Sequence, residues 1–393
     1  MLFLFVLLPL VFAENYLVQF KDGVSLFQID SHLQKVHIRS VRDYGLSRKA
    51  ILSKPTLFQV GSVVGYTGFF TRSEVDDLVH DPVVAVIEKD SRVYTYSTQS
   101  GADWGLARIS HRDLGGKKEK STFEYILGDG HDVKVYIVDT GVYTEHKDFQ
   151  GRASFGTSIP KGSTQDHQGH GTFCASLIGG KTYGVAKNAS LIAVKVLGDN
   201  GSGSLSDVVK GIEWVVKKHK TGTTPSVISM SLGGGKSVIL NRVADAAVDS
   251  GVVVIVAAGN EAQDACDVSP AGAEKVITVG ATTSQDTLAY FSNVGKCVDI
   301  LSPGFNILGA FIGDTSAETT MSGTSMACPF TAGVVASILS RHPKLSPKQV
   351  KEHLLDLSTS DAIDNLDDDT PNQLVYNDPH EGVMPNAPLI LFM

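Results

Sequence analysis

The sequence predicts an α/β protein, a doubly wound and mainly parallel sheet preceded by a small α+β domain of ferredoxin-like form. Three observations predict it. From residue 97 onward, short runs of Val, Ile and Ala recur with glycine turns and helical periodicity between them, as strands buried on both faces of a parallel sheet require. Residues 14–96 follow a different rhythm, β-α-β-β-α-β. A chain of 393 residues that is 42% hydrophobic and 19% charged can fill a large core, which excludes disorder and a small disulfide scaffold.

In chain order, Leu2 to Phe12 is an uninterrupted apolar run ending at Ala13. It is too short to span a bilayer but suits a secretory signal, so residues 1–13 are expected to be a signal peptide. Such an address permits disulfides and makes Asn188-Ala-Ser190 a usable glycosylation site. In residues 14–96 a strand is expected at Tyr16 to Phe20, a helix near Ser25 to Arg39 and β-rich sequence from Leu57 to Phe70. Thr71 with Glu74 three residues on forms a capping box for a second helix, which Asp81-Pro82 ends before a strand at Val83 to Ile87. Further strands are expected at Val133 to Val138, Leu191 to Leu197, Val227 to Met230, Val252 to Ala258 and Val276 to Val279. Helices are expected at Ser206 to Lys218, Asn241 to Asp249 and Ser325 to Ser340. Residues 97–377 thus form the larger domain, and 378–393 a C-terminal tail whose apolar end is too short for a transmembrane anchor.

The formal charge is −8, and eight acids after Leu355 face no Lys or Arg. No basic block exists to neutralise phosphates, so nucleic acid is not an expected partner.

Chemistry is expected beyond the carboxyl ends of the strands, and three motifs place one polar side chain each at an element end. These are Val138-Asp139-Thr140-Gly141, Gly169-His170-Gly171-Thr172 and Gly323-Thr324-Ser325-Met326-Ala327. Nucleophilic acyl transfer needs a hydroxyl, an imidazole to take its proton, and a carboxylate to fix and stabilise the imidazole. Asp139, His170 and Ser325 supply that set.

With Trp104-Gly-Leu-Ala-Arg-Ile109, Ser231-Leu-Gly-Gly234 and Ala257-Ala-Gly-Asn260, these motifs occur in the order of the subtilisin-like serine proteases. The chain resembles that family over nearly its whole length, most closely the proteinase K-like branch. The resemblance implies a serine endopeptidase that needs no cofactor and acts on polypeptides. It implies Asn260 as an oxyanion donor beside the Ser325 backbone N–H. Gly201, Ser202 and Gly203, with Ser231, Leu232, Gly233 and Gly234, would flank the substrate chain as antiparallel strands. Ala257, Ala258 and Gly259 would help wall a roomy apolar pocket for a large hydrophobic or aromatic residue before the cut. Residues 14–96 resemble the family's inhibitory propeptide, and aligning Trp104 with the mature start places self-cleavage between Tyr96 and Ser97. The resemblance further implies a mature monomer inhibited in its precursor by its own propeptide, and a Cys266–Cys297 disulfide. Cys174 and Cys328 are expected to be buried thiols, and a structural calcium is expected at Asp299 with the carbonyls of Glu274 and Val276.

Other readings are weaker. His167 and His170 beside Asp166 lack the spacing of a zinc helix. Asp249-Ser-Gly251 mimics one half of an aspartic protease dyad but ends an expected helix. Gly201-x-Gly203 lacks the third glycine of a dinucleotide loop. A secreted structural or adhesive protein on a retired protease fold would not need the intact Asp139, His170 and Ser325.

Overall fold

The computed structural model describes residues 13–43, 55–90, 93–113, 121–367 and 369–380, with the backbone alone for 37–43. The leader at 1–12 and the tail beyond residue 380 lie outside the described residues. The chain divides into two compact units between Tyr94 and Thr95.

The smaller unit holds β1 (Glu14–Phe20), α1 (Leu26–Asp43), β2 (Thr56–Val60), β3 (Val63–Phe70), α2 (Arg72–Val79) and β4 (Val84–Lys89). Its sheet runs β2-β3-β1-β4, each neighbouring pair antiparallel, the order two interleaved β-α-β crossovers produce. Thr71 accepts the N–H of Glu74 while the Glu74 carboxylate accepts the N–H of Thr71, closing the expected capping box on α2. Val18, Phe20, Tyr66, Phe70 and Ile87 form its own core. Within it, the buried His32 ring bridges the Tyr66 hydroxyl at 2.8 Å and Asp81 Oδ2 at 3.0 Å.

The larger unit opens with β5 (Tyr96–Ser100), α3 (Trp104–Ile109) and β6 (Thr122–Ile126); β5 pairs antiparallel with β6. There follow β7 (Lys134–Asp139), β8 (Ala153–Ser158), α4 (His170–Gly179), β9 (Ser190–Lys195), α5 (Leu205–Lys220), β10 (Ser226–Met230), α6 (Val238–Asp249), β11 (Val253–Ala257), β12 (Ile277–Thr282) and β13 (Ile300–Pro303). The unit closes with α7 (Thr324–Arg341), α8 (Pro347–Leu357), β14 (Thr359–Ser360) and β15 (Gln373–Leu374). The main sheet has the order β14-β15-β13-β12-β11-β10-β7-β9-β8 and is parallel except for the β14–β15 pair.

Both faces are covered, which is why these strands read as continuous apolar runs. Val135, Ile137, Val253 and Ile255 face a core built with α3, α4, α7 and α8. The intervening Tyr136, Val138, Val254 and Val256 face α5 and α6. Parallel pairing puts the carboxyl ends of all these strands except β14 at one edge of the sheet, where the polar motifs emerge. Among the described residues, no helix is long and apolar enough to cross a membrane.

Candidate active site

Asp139 is the last residue of β7 and fully buried. His170 is the first residue of α4. Its Nδ1 lies 2.8 Å from Asp139 Oδ1 and 3.0 Å from Oδ2, and Oδ1 also accepts the N–H of Thr140 at 2.7 Å. Asp166 aligns the two elements: Oδ1 accepts the Thr140 hydroxyl and the N–H groups of Gln168 and Gly169, and Oδ2 accepts the N–H and hydroxyl of Thr172. The Thr140 hydroxyl oxygen accepts the Gly171 N–H. These bonds saturate Asp166, and His167 instead meets the Ser163 hydroxyl at the exposed surface, so no zinc set forms there. Gly169 holds φ +96°, a left-handed turn that glycine tolerates.

Burial by itself would lower the His170 pKa. The charge and hydrogen bond of Asp139, joined by those of Cys174, override burial and raise it well above 6.5.

Ser325 opens α7 behind Thr324, and its hydroxyl donates to the Ser231 carbonyl at 3.2 Å. Cys174, one turn into α4, links it to the imidazole: its Sγ lies 3.9 Å from His170 Nδ1 and 3.5 Å from the Ser325 carbonyl. That carbonyl is left open because Pro329, four residues on inside α7, has no N–H to offer. Ser231 Oγ donates to it at 2.9 Å. The helix irregularity thus joins the nucleophile's backbone to β10 and α4. The proline four residues after the serine is the signal in the sequence for this arrangement.

Asn260 follows β11. Its Oδ1 accepts the N–H of Thr324 at 2.8 Å and the Thr324 hydroxyl at 3.0 Å. The carboxamide orientation is therefore set, and Nδ2 is directed away from Thr324 on an exposed residue. Thr324 Oγ1 also accepts the Gly259 N–H. Neither Thr324 nor the Asn293 that packs behind this loop was singled out from sequence.

Beside His170 lies a cleft of about 520 Å³ whose walls include Gly201, Ser202 and Gly203 on one side and Ser231, Leu232, Gly233 and Gly234 on the other. Leu197, Leu205, Val208 and Leu240 add apolar surface to its lining. Ala257 and Ala258 are buried, and Gly259 beyond them is half-buried. The two alanines sit at the end of a central strand, where their small side chains are consumed by packing.

Cys266 and Cys297 are joined by a disulfide. Cys174 and Cys328 are buried thiols, and burial pushes Cys328 up to about 12. Asn188 is exposed, with its Nδ2 donating to the Asp129 carbonyl at 3.4 Å.

The expected calcium ligands do not fit an ion. Lys351 Nζ sits 2.7 Å from Asp299 Oδ1 and donates to the Val276 carbonyl at 2.8 Å, while Asp299 Oδ2 accepts the Thr278 N–H. An ammonium already neutralises those oxygens, and Glu274 is an exposed residue whose N–H reaches Asp245.

The subtilase family model matches residues 130–375, the span that carries all these groups. The chain belongs to the subtilase family. It is 43% identical to cerevisin of Saccharomyces cerevisiae, the alignment covering 93% of this chain and 64% of that protein, so the chain spans under two thirds of cerevisin's length. It is 44% identical to the subtilisin-like serine protease Pen c 2 of Penicillium citrinum, covering 93% of this chain and 88% of the relative. The crystal structure of a cold adapted subtilisin-like serine proteinase superposes with a TM-score of 0.67 at 40% identity, covering 71% of this chain and 99% of that one. This subtilase is therefore a serine endopeptidase by family, and its acid, imidazole and hydroxyl stand at the carboxyl edge of the sheet.

Proposed function

We propose that the protein is a secreted endopeptidase made as a self-cleaving zymogen, and that it prefers large hydrophobic or aromatic residues before the cut. The observation that carries this reading is the buried Asp139 carboxylate on His170 Nδ1, which leaves Nε2 as the proton acceptor. In the reaction the Ser325 hydroxyl swings from the Ser231 carbonyl to Nε2 and gives up its proton as Oγ attacks the scissile carbonyl. The resulting imidazolium is stabilised by Asp139 and then protonates the leaving amine. Negative charge on the carbonyl oxygen is received by Asn260 Nδ2 and the Ser325 N–H, the latter at a helix N-terminus whose dipole favours an anion. Water reverses the sequence on the acyl-enzyme.

The leucines and Val208 of the cleft support the side-chain preference, and the glycines at 201, 203, 233 and 234 permit close approach of an extended backbone. The compact unit at 14–90, with its own core, supports the propeptide reading. Tyr96 and Ser97 pair with Ile126 and Tyr125 in the β5–β6 ladder, not with the cleft segments. Cleavage at Tyr96–Ser97 therefore precedes or opens that pairing. The apolar leader and the sequon at the exposed Asn188 support secretion and glycosylation.

The test is expression of the wild type and Ser325→Ala. The wild type should appear with Ser97 as its first residue and hydrolyse casein and aromatic anilide peptides. The variant should remain a full precursor without activity; a Ser325→Ala protein that is still processed between Tyr96 and Ser97 by itself would refute self-cleavage.

A further inference from the structure

Asn293 is fully buried, and its carboxamide and backbone N–H are all spent on one loop. Nδ2 donates to the Ala258 carbonyl at 2.9 Å and to Glu261 Oε2 at 3.0 Å. Oδ1 accepts the N–H of Glu261 at 3.0 Å and of Gln263 at 3.1 Å. Its backbone N–H donates to the Gly259 carbonyl at 3.0 Å. The five bonds fall on both sides of Asn260 and none reaches Asn260 itself. The link to it is Glu261, whose Oε2 accepts the Asn260 N–H at 2.9 Å.

The clamp and the loop are fitted to each other. Gly259 holds φ +103°, and a Cβ there would lie 2.3 Å from Asn293 Nδ2. Only a carboxamide offers donors on one side and acceptors on the other; an aspartate would set an oxygen against the Ala258 carbonyl and the Glu261 carboxylate. Thr324 fixes the outer end of Asn260, and Asn293 fixes the backbone from which that side chain projects.

We propose that Asn293, through Glu261, is a positioning residue for the oxyanion donor Asn260; this rests on the reading of Asn260 given above. Misplacing a preorganised donor removes stabilisation that develops only in the transition state, so kcat falls and KM holds. Losing such a donor outright lowers kcat by about 10²–10³-fold, a range the subtilisin relatives supply. A donor retained but poorly aimed should lose part of that, roughly 10–100-fold.

The test is a double-mutant cycle with Asn260→Ala and Asn293→Ser on the mature enzyme, using an aromatic anilide peptide. Asn293→Ser should lower kcat within that range with KM within about twofold, and weaken a peptide aldehyde in parallel. The double variant should match Asn260→Ala alone, because an absent donor cannot be misaimed. Losses that multiply, or a change in KM with kcat intact, overturn the proposal. If Asn293→Ser does not fold, the exposed Glu261 carries the same cycle: Glu261→Ala should lose kcat non-additively with Asn260→Ala, and Glu261→Gln should restore it. A wild-type kcat in Glu261→Ala then overturns the proposal. An Asn260→Ala enzyme with unaltered kcat sinks the oxyanion assignment itself, a distinguishable result.

Discussion

His170 Nδ1 lies 2.8 Å from Asp139 Oδ1, and the carboxylate that holds it is fully buried. This contact determines both the tautomer and the charge of the imidazole. Catalysis needs His170 neutral, and its pKa is raised well above 6.5. The acid limb of kcat/KM should therefore lie above pH 6.5, activity being lost as pH falls through it. Asp139→Asn removes the largest influence opposing burial, so the limb should shift to lower pH while kcat drops on the order of 10⁴-fold. A pH–rate profile of both proteins checks this, and a variant limb at unchanged or higher pH contradicts it.

Lys351 stands where an ion was expected. Replacing it with Met leaves Asp299 Oδ1 and the Val276 carbonyl facing each other without a cation. The loss of a charged hydrogen bond should cost about 1.5–3 kcal/mol, read as a lower Tm. Millimolar calcium should restore part of it in Lys351→Met but not in the Asp299→Asn/Lys351→Met double variant. Calcium rescue of the double variant equal to that of the single one contradicts the assignment.

The Cys266–Cys297 disulfide closes a loop across a sequence separation of 31. Loop-closure entropy assigns it roughly 3–4 kcal/mol. The paired Cys266→Ser/Cys297→Ser variant should melt several degrees lower than the wild type, and reducing agent should bring the wild type toward the variant. Equal melting temperatures of oxidised wild type and variant count against this.

Both free thiols are buried, and burial raises the pKa of each. Thiolate is the reactive form, so iodoacetamide at pH 8 should leave native activity intact and label Cys174 and Cys328 only after unfolding. Peptide mapping of the labelled protein decides; rapid labelling of the active enzyme is the contrary result.

Phe330 is fully buried against α3, so close that a Cβ on Gly105 would meet its ring at 2.9 Å. Phe330→Ala should destabilise by about 3–5 kcal/mol. Phe330→His restores volume but buries a polar ring, and should retain more stability only where the ring gains a partner. Denaturant midpoints of the three proteins measure the order, and an unshifted Phe330→Ala midpoint refutes the packing role.

Much of the fold was legible because periodicity is local. The apolar runs at 133–138 and 252–258 matched what strands covered on both faces require, and the capping box at Thr71 and Glu74 was written within four residues. Asp139, His170 and Ser325 pointed to acyl transfer because each is a polar group of the required type at an element end, while the role of Asn260 came from the family resemblance. Partnerships between distant residues were not legible. Lys351 entering the Asp299 oxygens, Pro329 freeing the Ser325 carbonyl for Ser231, and Asn293 bracketing Asn260 join positions from 33 to 94 residues apart. The chain itself determined which side chains were present and which elements carry them. Tertiary structure decided which oxygen receives which donor, because a hydrogen bond depends on ångström distances that packing sets and sequence spacing does not.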